Sequence, residues 1–543
     1  MTATSLTPEY RPAVAAPPTA PGFPTTLGDI ARCQARDRPD AVAFVFESRL
    51  TTYAAFDRHT NQVAWGLLAL GAGPRVRVAY LGKNSDHYFE LLFGAAKAGA
   101  VMVPVNWRLA GPEIGHIVAD SGAAILFVDP EFADLAAAAA PGAPALRQVI
   151  LMGSGSDSRP GYAAWRDAQD HSDPACPVTA DFIAVQLYTS GTTGRPKGAM
   201  LRHANLLALS NMQSVAAGEW TRWTSDDVSL VAMPVAHIGG TGWGTLGLYH
   251  GAKGVVLREF EPGLVLDAIE HQRISKLFLV PAAMQIMVRL PRAGAVDYSA
   301  LKYMMYGASP IPLALLRECM AVFGCGFVQM YGMTETSGAI VALDPEDHSP
   351  EGSPRMRSAG RPLQGVEIAI LDAEGKPLPP NRVGEVATRS RANMAGYWKL
   401  PDATAQTIDA ENWLRTGDAG YLDEDGYLYI HDRVKDMIIS GGENIYPAEV
   451  ENAIFGHPQV ADVAVIGVPD ENWGEAVKAL VVPRPGAAPD PAEIIAWARS
   501  RIAGFKVPKS LDFIDCLPRN ASGKILRRAL REPYWAGRER RVN

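Results

Sequence analysis

The sequence predicts an α/β protein of several domains, and three observations support this class. The chain has 543 residues, which is too long for one compact core. Strand-like and helix-like segments alternate from about residue 23 to about residue 345, a pattern typical of mainly parallel sheets. From about 355 to 431, short β-like runs between turns indicate a small barrel-like β unit, and a shorter α+β region follows.

The N-terminal elements are predicted from apolar runs and helical periodicity. Residues 1–22 are rich in Pro, Ala and Thr without periodicity, so we expect a mobile tail there. A helix is predicted at His87–Ala98, between strands at Val76–Leu81 and Val101–Val105. Further strands are predicted at Ala123–Val128, Phe182–Leu187, Val228–Met233, Gly254–Leu257, Lys276–Val280 and Tyr303–Tyr306.

The C-terminal elements are marked by turns and by shorter apolar runs. In the β unit, turns are predicted at Asp372–Gly375 and Asp423–Gly426. In the last region, strands are predicted near Val460–Val468 and Val477–Val482, and a helix at Ala492–Ile502.

Composition and charge argue against several function classes. The chain is 48% hydrophobic and 20% charged, as soluble globular proteins are, and its net charge of −7 disfavours a nucleic-acid partner. The five cysteines show no metal-ligand spacing, and their odd number fits reduced thiols in a cytoplasmic protein. The start resembles no signal peptide, and no apolar run is long enough to span a bilayer.

The most informative motif is Tyr-Thr-Ser-Gly-Thr-Thr-Gly-Arg-Pro-Lys-Gly at 188–198, which precedes a helical pattern near His203. Its glycines let the backbone approach an anion, its hydroxyl groups donate hydrogen bonds, and Lys197 adds a positive charge. Pro196 and Gly198 break the Walker A pattern, so we predict polyphosphate binding outside the P-loop class. A plain surface linker is the alternative interpretation of such a loop.

Two further motifs follow predicted strands, where open α/β sheets bind ligands. Tyr-Gly-Ala-Ser at 306–309 would, alone, be read as a plain turn. Gln-Met-Tyr-Gly-Met-Thr-Glu at 329–335 offers Tyr331 for stacking on a base, Thr334 for a phosphate and Glu335 for Mg²⁺. The alternatives are a core aromatic residue and a solvated charge.

Three motifs nearer the C-terminus complete the set. Trp-Leu-Arg-Thr-Gly-Asp at 413–418 ends in a carboxylate suited to two ribose hydroxyls, although a lone aspartate there is usually a turn residue. The charged cluster at 432–444 joins two regions of different composition, as a hinge would. Pro-Arg-Asn-Ala-Ser-Gly-Lys-Ile at 518–525 places Lys524 on a turn, where an exposed surface lysine is the common outcome.

Taken in order, these motifs resemble the signature blocks of the adenylate-forming superfamily, which includes acyl-CoA synthetases, peptide-synthetase adenylation domains and luciferases. The resemblance covers about residues 25 to 535. It implies a large AMP-binding domain at 23–432, with two α/β subdomains and the small β-barrel at about 355–431. It also implies a smaller, mobile α+β domain at 433–543 that rotates on a hinge at about 432–436.

The resemblance further assigns the nucleotide-binding residues. It implies that the β- and γ-phosphates are held by Thr189, Ser190, Gly191, Thr192, Thr193, Gly194 and Lys197. It implies an adenine site formed by Gly307, Ala308, Ser309 and Tyr331. By the same resemblance Thr334 contacts the α-phosphate and Glu335 binds Mg²⁺. Asp418 then holds the ribose, with help from Arg433.

For the smaller domain, the resemblance implies a change of contacts between two steps. Lys435 matches the hinge position, and Lys524 matches the lysine that enters the site during adenylation only. Gly441 and Gly442 match the loop that lines the pantetheine tunnel during thioester formation.

The segment Pro-Val-Ala-His-Ile-Gly-Gly-Thr-Gly-Trp at 234–243 discriminates between branches of the superfamily. Peptide-synthetase domains usually begin it with an aspartate, whereas CoA ligases commonly carry a histidine, here His237, near the acyl group. A satisfied loop histidine is the alternative interpretation. We expect the acyl pocket to include His237, Gly240, Thr241, Gly332 and Met333 within the mainly apolar segments 239–246, 280–286 and 333–341.

The resulting prediction is an acyl-CoA synthetase that uses ATP, Mg²⁺ and coenzyme A and acts on a fatty, alicyclic or aryl acid. Acid and ATP would give acyl-AMP and pyrophosphate, and the CoA thiol would then release AMP. Transfer to a carrier protein is the alternative, and a non-catalytic relic predicts decay at Lys524, Glu335 or Lys197, which is not seen. We expect a monomer or homodimer, with at most weak membrane-surface contact through the aromatic and basic end at 534–542.

Overall fold

The computed structural model describes residues 23–153, 155–156, 159–189, 196–213, 218–433, 436–441, 443–520 and 523–536. The predicted tail at 1–22 lies outside these residues. None of the helices in the described part of the chain is long and apolar enough to cross a membrane.

Fifteen α-helices are defined among the described residues. They span Leu27–Asp37 (α1), Tyr53–Ala69 (α2), Asp86–Ala98 (α3), Gly111–Ser121 (α4), Ala133–Ala139 (α5), Tyr162–Asp167 (α6), His203–Gln213 (α7), Ile238–Tyr249 (α8), Pro262–His271 (α9), Pro281–Val288 (α10), Leu313–Phe323 (α11), Pro401–Thr407 (α12), Pro447–Phe455 (α13), Pro491–Arg499 (α14) and Arg527–Trp535 (α15).

The strands form two large sheets, two smaller ones and one short hairpin. They span Val42–Phe46 (β1), Arg49–Thr52 (β2), Arg77–Leu81 (β3), Val101–Val105 (β4), Ile125–Val128 (β5), Gln148–Leu151 (β6), Gly155–Ser156 (β7), Arg159–Pro160 (β8), Ile183–Thr189 (β9), Lys197–Arg202 (β10), Val228–Val231 (β11), Lys253–Val256 (β12), Lys276–Leu279 (β13), Tyr303–Gly307 (β14), Gly326–Met333 (β15), Gly338–Leu343 (β16), Arg361–Pro362 (β17), Glu367–Leu371 (β18), Gly384–Arg389 (β19), Gly396–Tyr397 (β20), Leu414–Leu422 (β21), Leu428–Arg433 (β22), Ile438–Ser440 (β23), Glu443–Ile445 (β24), Val460–Asp470 (β25), Gly474–Pro483 (β26) and Ser510–Phe513 (β27).

The two large sheets confirm the predicted α/β architecture. The nine-stranded sheet has the order β17-β16-β15-β14-β13-β11-β12-β1-β2 and is parallel from β15 to β1. The seven-stranded sheet has the order β20-β10-β9-β4-β3-β5-β6 and is parallel from β9 to β6. The predicted strands all occur, with ends shifted by a few residues.

Local chemistry explains where the central helices begin and end. Helix α3 starts after Ser85, whose hydroxyl accepts a hydrogen bond from the His87 amide at 3.2 Å, and it ends at Gly99 with φ of 74°. Its Phe89 ring stacks on Phe44 of β1 at 4.9 Å, and α3 also contacts β4 of the other large sheet. The main core therefore lies where helices pack between the two sheets.

The remaining sheets belong to the later part of the chain. The predicted β unit contains a four-stranded antiparallel sheet in the order β18-β19-β21-β22, and its predicted turns place Gly375 and Gly426 at positive φ. The last sheet has the order β24-β23-β26-β25, with β27 parallel to β26. Helix α14 stops three residues before the predicted Ile502, because Ser500 already caps its last turn.

Candidate active site

The strands on either side of the glycine-rich loop pair with each other next to a buried carboxylate. Thr189 ends β9, Lys197 begins β10, and these two residues are paired across the antiparallel ladder. The Thr189 hydroxyl donates to Glu335 Oε1 at 3.3 Å, and Glu335 is only 5% exposed. Residues 190–194 of the predicted phosphate site lie outside the described part of the chain. The pairing sets Thr189 and Lys197 opposite each other, with Thr189 in contact with Glu335.

Tyr397 is a further member of this cluster, and sequence reasoning missed it. Its hydroxyl donates to Glu335 Oε1 at 2.8 Å, and Lys197 Nζ lies 5.1 Å from its ring centroid. Tyr397 lies on β20, which pairs with β10. The only signal in the sequence is an aromatic pair after Gly396, which does not by itself indicate a ligand site. Tyr397 orients the carboxylate and places an aromatic face beside the lysine.

The Glu335 carboxylate is suited to bind a Mg²⁺ ion that enters the site together with a nucleotide. Among the described residues, no three His, Cys, Asp or Glu side chains are grouped so as to hold a metal ion. Mg²⁺ usually binds through one or two carboxylates, with waters and substrate phosphates completing its octahedron. The buried Glu335 carboxylate, with hydroxyl donors on Oε1, is suited to that partial role.

The predicted adenine and ribose residues come together at the ends of neighbouring strands. Gly307 ends β14, where a β-carbon would lie 2.0 Å from the Met330 carbonyl oxygen, so only glycine fits. Ala308 follows with φ of 67°, and Ser309 lies in the same loop. On β15, the Tyr331 hydroxyl donates to Asp418 Oδ2 at 2.6 Å. Tyr331 and Asp418, 87 residues apart in the chain, thus share one site.

Asp418 is held by the β unit. It is 7% exposed and lies on β21, directly across the ladder from Arg433 on β22. Its amide donates to the Thr416 hydroxyl at 3.1 Å, which fixes the turn before it. The pairing brings the backbones of the two predicted ribose residues together; the side-chain role of Arg433 stays a prediction.

Gly332 and Met333 end the same strand as Tyr331. A β-carbon at Gly332 would lie 2.0 Å from the Gly338 carbonyl oxygen on β16, so close strand packing requires this glycine. Met333 is partly exposed, and its amide donates to the Thr336 hydroxyl at 3.0 Å. Thr334 and Glu335 begin the short helical turn that follows. The roles of Gly332 and Met333 beside an acyl group stay predictions.

His237 precedes helix α8 and has one close side-chain neighbour. Asn106 Nδ2 lies 3.4 Å from its Nε2 atom. Burial, followed by the positive charges of Lys524 and Arg108, lowers the pKa of His237 to about 4. His237 is therefore a neutral imidazole at physiological pH, which suits a position beside another cation.

The Lys524 turn lies against the large domain. Gly523 has φ of 81°, and a β-carbon there would lie 3.3 Å from Val280 Cγ2. Asn520 Oδ1 accepts from the Lys524 amide at 2.9 Å and holds the turn. Gln285 Nε2 adds a hydrogen bond to the Ala461 carbonyl at 2.8 Å. The Lys524 turn and His237 therefore occupy one region of the molecule, and the role of Lys524 in adenylation stays a prediction.

One residue of the predicted tunnel loop lies within the described residues. The Gly441 amide donates to the Trp473 carbonyl at 2.9 Å, and Gly441 is exposed. Gly442 and the predicted hinge residue Lys435 lie outside the described residues. The roles of these residues in the second step stay predictions.

Two predicted acyl-pocket residues also make close contacts within the protein, and their role beside an acyl group stays a prediction. Thr241 is fully buried, and its hydroxyl donates to the Val235 carbonyl at 2.6 Å and lies 2.5 Å from Tyr88 Oη on α3. A β-carbon at Gly240 would lie 2.3 Å from the Pro234 carbonyl oxygen. Both residues therefore support α8 from its core side. The opposite face, with Gly239 next to Phe278, is the one that borders a partly exposed side chain.

Comparison with known proteins agrees with this geometry. The family model described as "AMP-binding enzyme" matches residues 31–398. The model described as "AMP-binding enzyme C-terminal domain" matches residues 449–524. The two matches include the sequence positions of the phosphate loop, Glu335 and Lys524.

Individual proteins are similar over nearly the whole chain. A fatty acid–[acyl-carrier-protein] ligase, ScoC of Streptomyces coeruleorubidus, is 44% identical over 95% of this chain and 98% of its own length. A feruloyl-CoA synthase of an Amycolatopsis species is 42% identical over 92% of this chain and 97% of its own. The crystal structure of ATP-bound MatB from Rhodopseudomonas palustris superposes with a TM-score of 0.84 at 32% identity, covering 93% and 99% of the two chains.

Proposed function

The chain belongs to the AMP-binding enzyme family and is an AMP-forming acid–thiol ligase, and we propose that coenzyme A is its thiol and Mg²⁺ its metal. One observation supports this proposal most strongly. The turn that carries Lys524 packs against the large domain, since a β-carbon at the neighbouring Gly523 would lie 3.3 Å from Val280 Cγ2. A cation delivered by a separate domain is what the first step of such a ligase requires.

The chemistry of the first step explains that requirement. A carboxylate is a poor electrophile, so the acid must be converted into a mixed anhydride before a thiol can attack it. Its oxygen forms a bond to the α-phosphorus of ATP while the bond to pyrophosphate breaks. Negative charge develops on the α-phosphate of the transferred adenylyl group and on the leaving pyrophosphate, and fixed cations stabilise it. The step requires no side-chain nucleophile. Lys524 supplies such a charge, and Lys197 beside the phosphate loop supplies another.

The hydroxyl and carboxylate cluster serves the other end of the nucleotide. We place the β- and γ-phosphates against the loop between Thr189 and Lys197, with Mg²⁺ held by Glu335. Asp418 accepts hydrogen bonds from the ribose, and Tyr331 lies beside the base. When bound, the metal neutralises charge on the departing pyrophosphate.

The second step requires a different arrangement. The thiol sulfur attacks the acyl carbonyl, and AMP leaves with its phosphate oxygen. Lys524 has no task there, and we propose that the smaller domain rotates about Lys435 to bring Gly441 and Gly442 to the thiol channel. His237 lies just before α8, and we place it beside the acyl group. Because its imidazole is neutral, it can contact the uncharged acyl carbonyl without bringing a second positive charge to the site.

A carrier protein is the second candidate acceptor, because a ligase for acyl-carrier protein is 44% identical to this chain. AMP release should be measured with an acid panel, ATP and Mg²⁺, adding either coenzyme A or a phosphopantetheinylated carrier protein. We expect stimulation by coenzyme A. Stimulation by the carrier alone would assign the alternative, and AMP release that neither thiol increases would contradict both.

A further inference from the structure

The space between α8 and the nine-stranded sheet has a distinct side-chain lining. Phe278 lies on the central strand β13 between Leu277 and Leu279, which are both fully buried, yet Phe278 itself is partly exposed. An open space therefore lies over this face of the sheet. Gly239 of α8 borders it, because a β-carbon there would lie 3.1 Å from Phe278 Cε1.

The same face can be followed away from His237 toward the other edge of the sheet. Ser229 on β11 is paired with Lys276 on β13, and residues two apart on a strand share a face, so both lie on the side of Phe278. Gly247 of α8 lies opposite Ser229, with a β-carbon position 3.4 Å from the serine Cβ. Helix α8 thus runs along this face of the sheet from Gly239, beside Phe278, to Gly247, which packs on the buried Ser229.

Aromatic rings close the far end. The Trp243 ring lies 6.4 Å from Phe278 and 5.5 Å from Trp223, measured between centroids. Trp223 stacks on His250 at 5.7 Å with an interplanar angle of 6°. We call Trp223, Trp243 and His250 the aromatic floor. The flat rings of Phe278 and of the aromatic floor favour a flat, ring-bearing acyl group over a long alkyl chain.

The buried lysine beneath the floor is not available to a second acid group. Lys276 Nζ lies 4.5 Å from the Trp223 ring and donates to the carbonyls of Trp220 and Arg222. Asp227 lies 3.8 Å from the same nitrogen. The Lys276 ammonium already donates to two carbonyls and has Asp227 as its counter-charge. It is therefore not available to pair with a second carboxylate, and we expect dicarboxylic acids not to bind at this end.

Three polar atoms on this face have no hydrogen-bond partner among the described residues: Ser229 Oγ, Trp243 Nε1 and His250 Nε2. Trp243 is 6% exposed and Ser229 is 1% exposed. A buried indole N–H is ordinarily hydrogen-bonded, so its partner is expected to come from a ligand.

We propose that the substrate is an aryl acid with an oxygen substituent at the end distal to its carboxylate, and that this oxygen accepts a hydrogen bond from the Trp243 indole N–H. This inference rests on the proposed function. The six-residue separation of His237 and Trp243 along α8 corresponds to about 9 Å. That length suits a propenoate chain followed by one ring.

The test compares two acids that differ only in that oxygen, 3-(4-hydroxyphenyl)propenoic acid and 3-phenylpropenoic acid, with decanoic acid as the aliphatic reference. The readout is acid-dependent ATP–pyrophosphate exchange, and the quantity of interest is the ratio of kcat/KM for the hydroxylated acid to that for the unsubstituted acid. We expect a ratio of about ten or more for the native enzyme, because a site built for a hydroxyl leaves its donor unpaired without it.

Trp243→Phe removes the N–H and keeps a ring, so the ratio should fall about tenfold. Trp65→Phe is the matched control, because the Trp65 indole donates to the Ser172 carbonyl on the exposed side of α2 and lies outside the site. A native ratio near one, better exchange with decanoic acid than with either aryl acid, or an unchanged ratio in Trp243→Phe would overturn the inference. If no acid of any class supports exchange, the proposed function fails with it.

Discussion

The two ends of the candidate site are built in different ways. At the proposed phosphate end, Thr189 and Tyr397 donate to the same oxygen of Glu335, and Lys197 lies over the Tyr397 ring. Three of these four residues belong to short motifs. At the proposed acyl end, Gly239 and Trp243 of one helix lie next to Phe278 of a central strand. The phosphate end therefore depends on residue types in fixed order, whereas the acyl end depends on which face of a helix points inward.

The largest effect that would test this contrast is expected at Lys524. In Lys524→Ala, ATP–pyrophosphate exchange should fall about 100- to 1000-fold. The variant loses the positive charge that stabilises the negative charge developing on the α-phosphate. Thioester formation from supplied acyl-adenylate should stay near the native rate. Lys376→Ala, at an exposed turn, is the control that should leave both steps unchanged. Equal loss of both half-reactions would refute a role limited to the first step.

A smaller effect is expected at Glu335. Glu335→Gln keeps an acceptor for the Tyr397 hydroxyl but removes the charge, so exchange should fall roughly 10- to 100-fold and need more Mg²⁺. Tyr397→Phe keeps the charge and loses one hydrogen bond, so its loss should be smaller. The Mg²⁺ dependence of exchange in both variants measures this difference. If Tyr397→Phe were the more impaired of the two, the carboxylate would not be the metal ligand.

At the acyl end, Thr241 tests the assignment of helix faces. Thr241→Val leaves the Val235 carbonyl and Tyr88 hydroxyl without their partner, so the free energy of unfolding should fall by about 1–3 kcal/mol. The relative kcat/KM values across an acid panel should not change. Thermal or denaturant unfolding, combined with that panel, checks both statements. A changed acid preference at native stability would return Thr241 to the pocket lining.

The smallest effect concerns His237. Its pKa is lowered to about 4 by burial first and then by Lys524 and Arg108. A neutral folded-state histidine contributes stability that is present above its ordinary value of 6.5 and is lost as pH falls toward 4. Lys524→Ala should raise this pKa while leaving it below 6.5, because burial remains. Imidazole NMR titration measures it, and an identical pKa in the variant would mean that Lys524 does not lie beside His237.

The sequence predicts the phosphate end of the candidate site better than the acyl end. The parallel sheets, the Thr189–Lys197 pair and the convergence of Tyr331 with Asp418 were all predictable, because each rests on contiguous motifs at strand ends. Tyr397 was not, because it lies far along the chain and carries no distinctive neighbours.

Helix α8 shows why the lining of an acyl pocket is harder to predict from the sequence. Helix α8 contains five glycines in Ile-Gly-Gly-Thr-Gly-Trp-Gly-Thr-Leu-Gly-Leu-Tyr, so its apolar pattern does not mark an inward face. Only the contacts of Gly240 with Pro234 and of Gly239 with Phe278 reveal which side borders the pocket. Packing across elements, rather than local residue type, decides that question.

The most direct test of the central claim is ATP–pyrophosphate exchange by the native enzyme without any thiol. Labelled pyrophosphate should enter ATP only when a suitable carboxylic acid is present, and subsequent addition of coenzyme A should release AMP. Exchange that requires coenzyme A from the outset, or formation of ADP and phosphate in place of AMP and pyrophosphate, would contradict an acyl-adenylate mechanism.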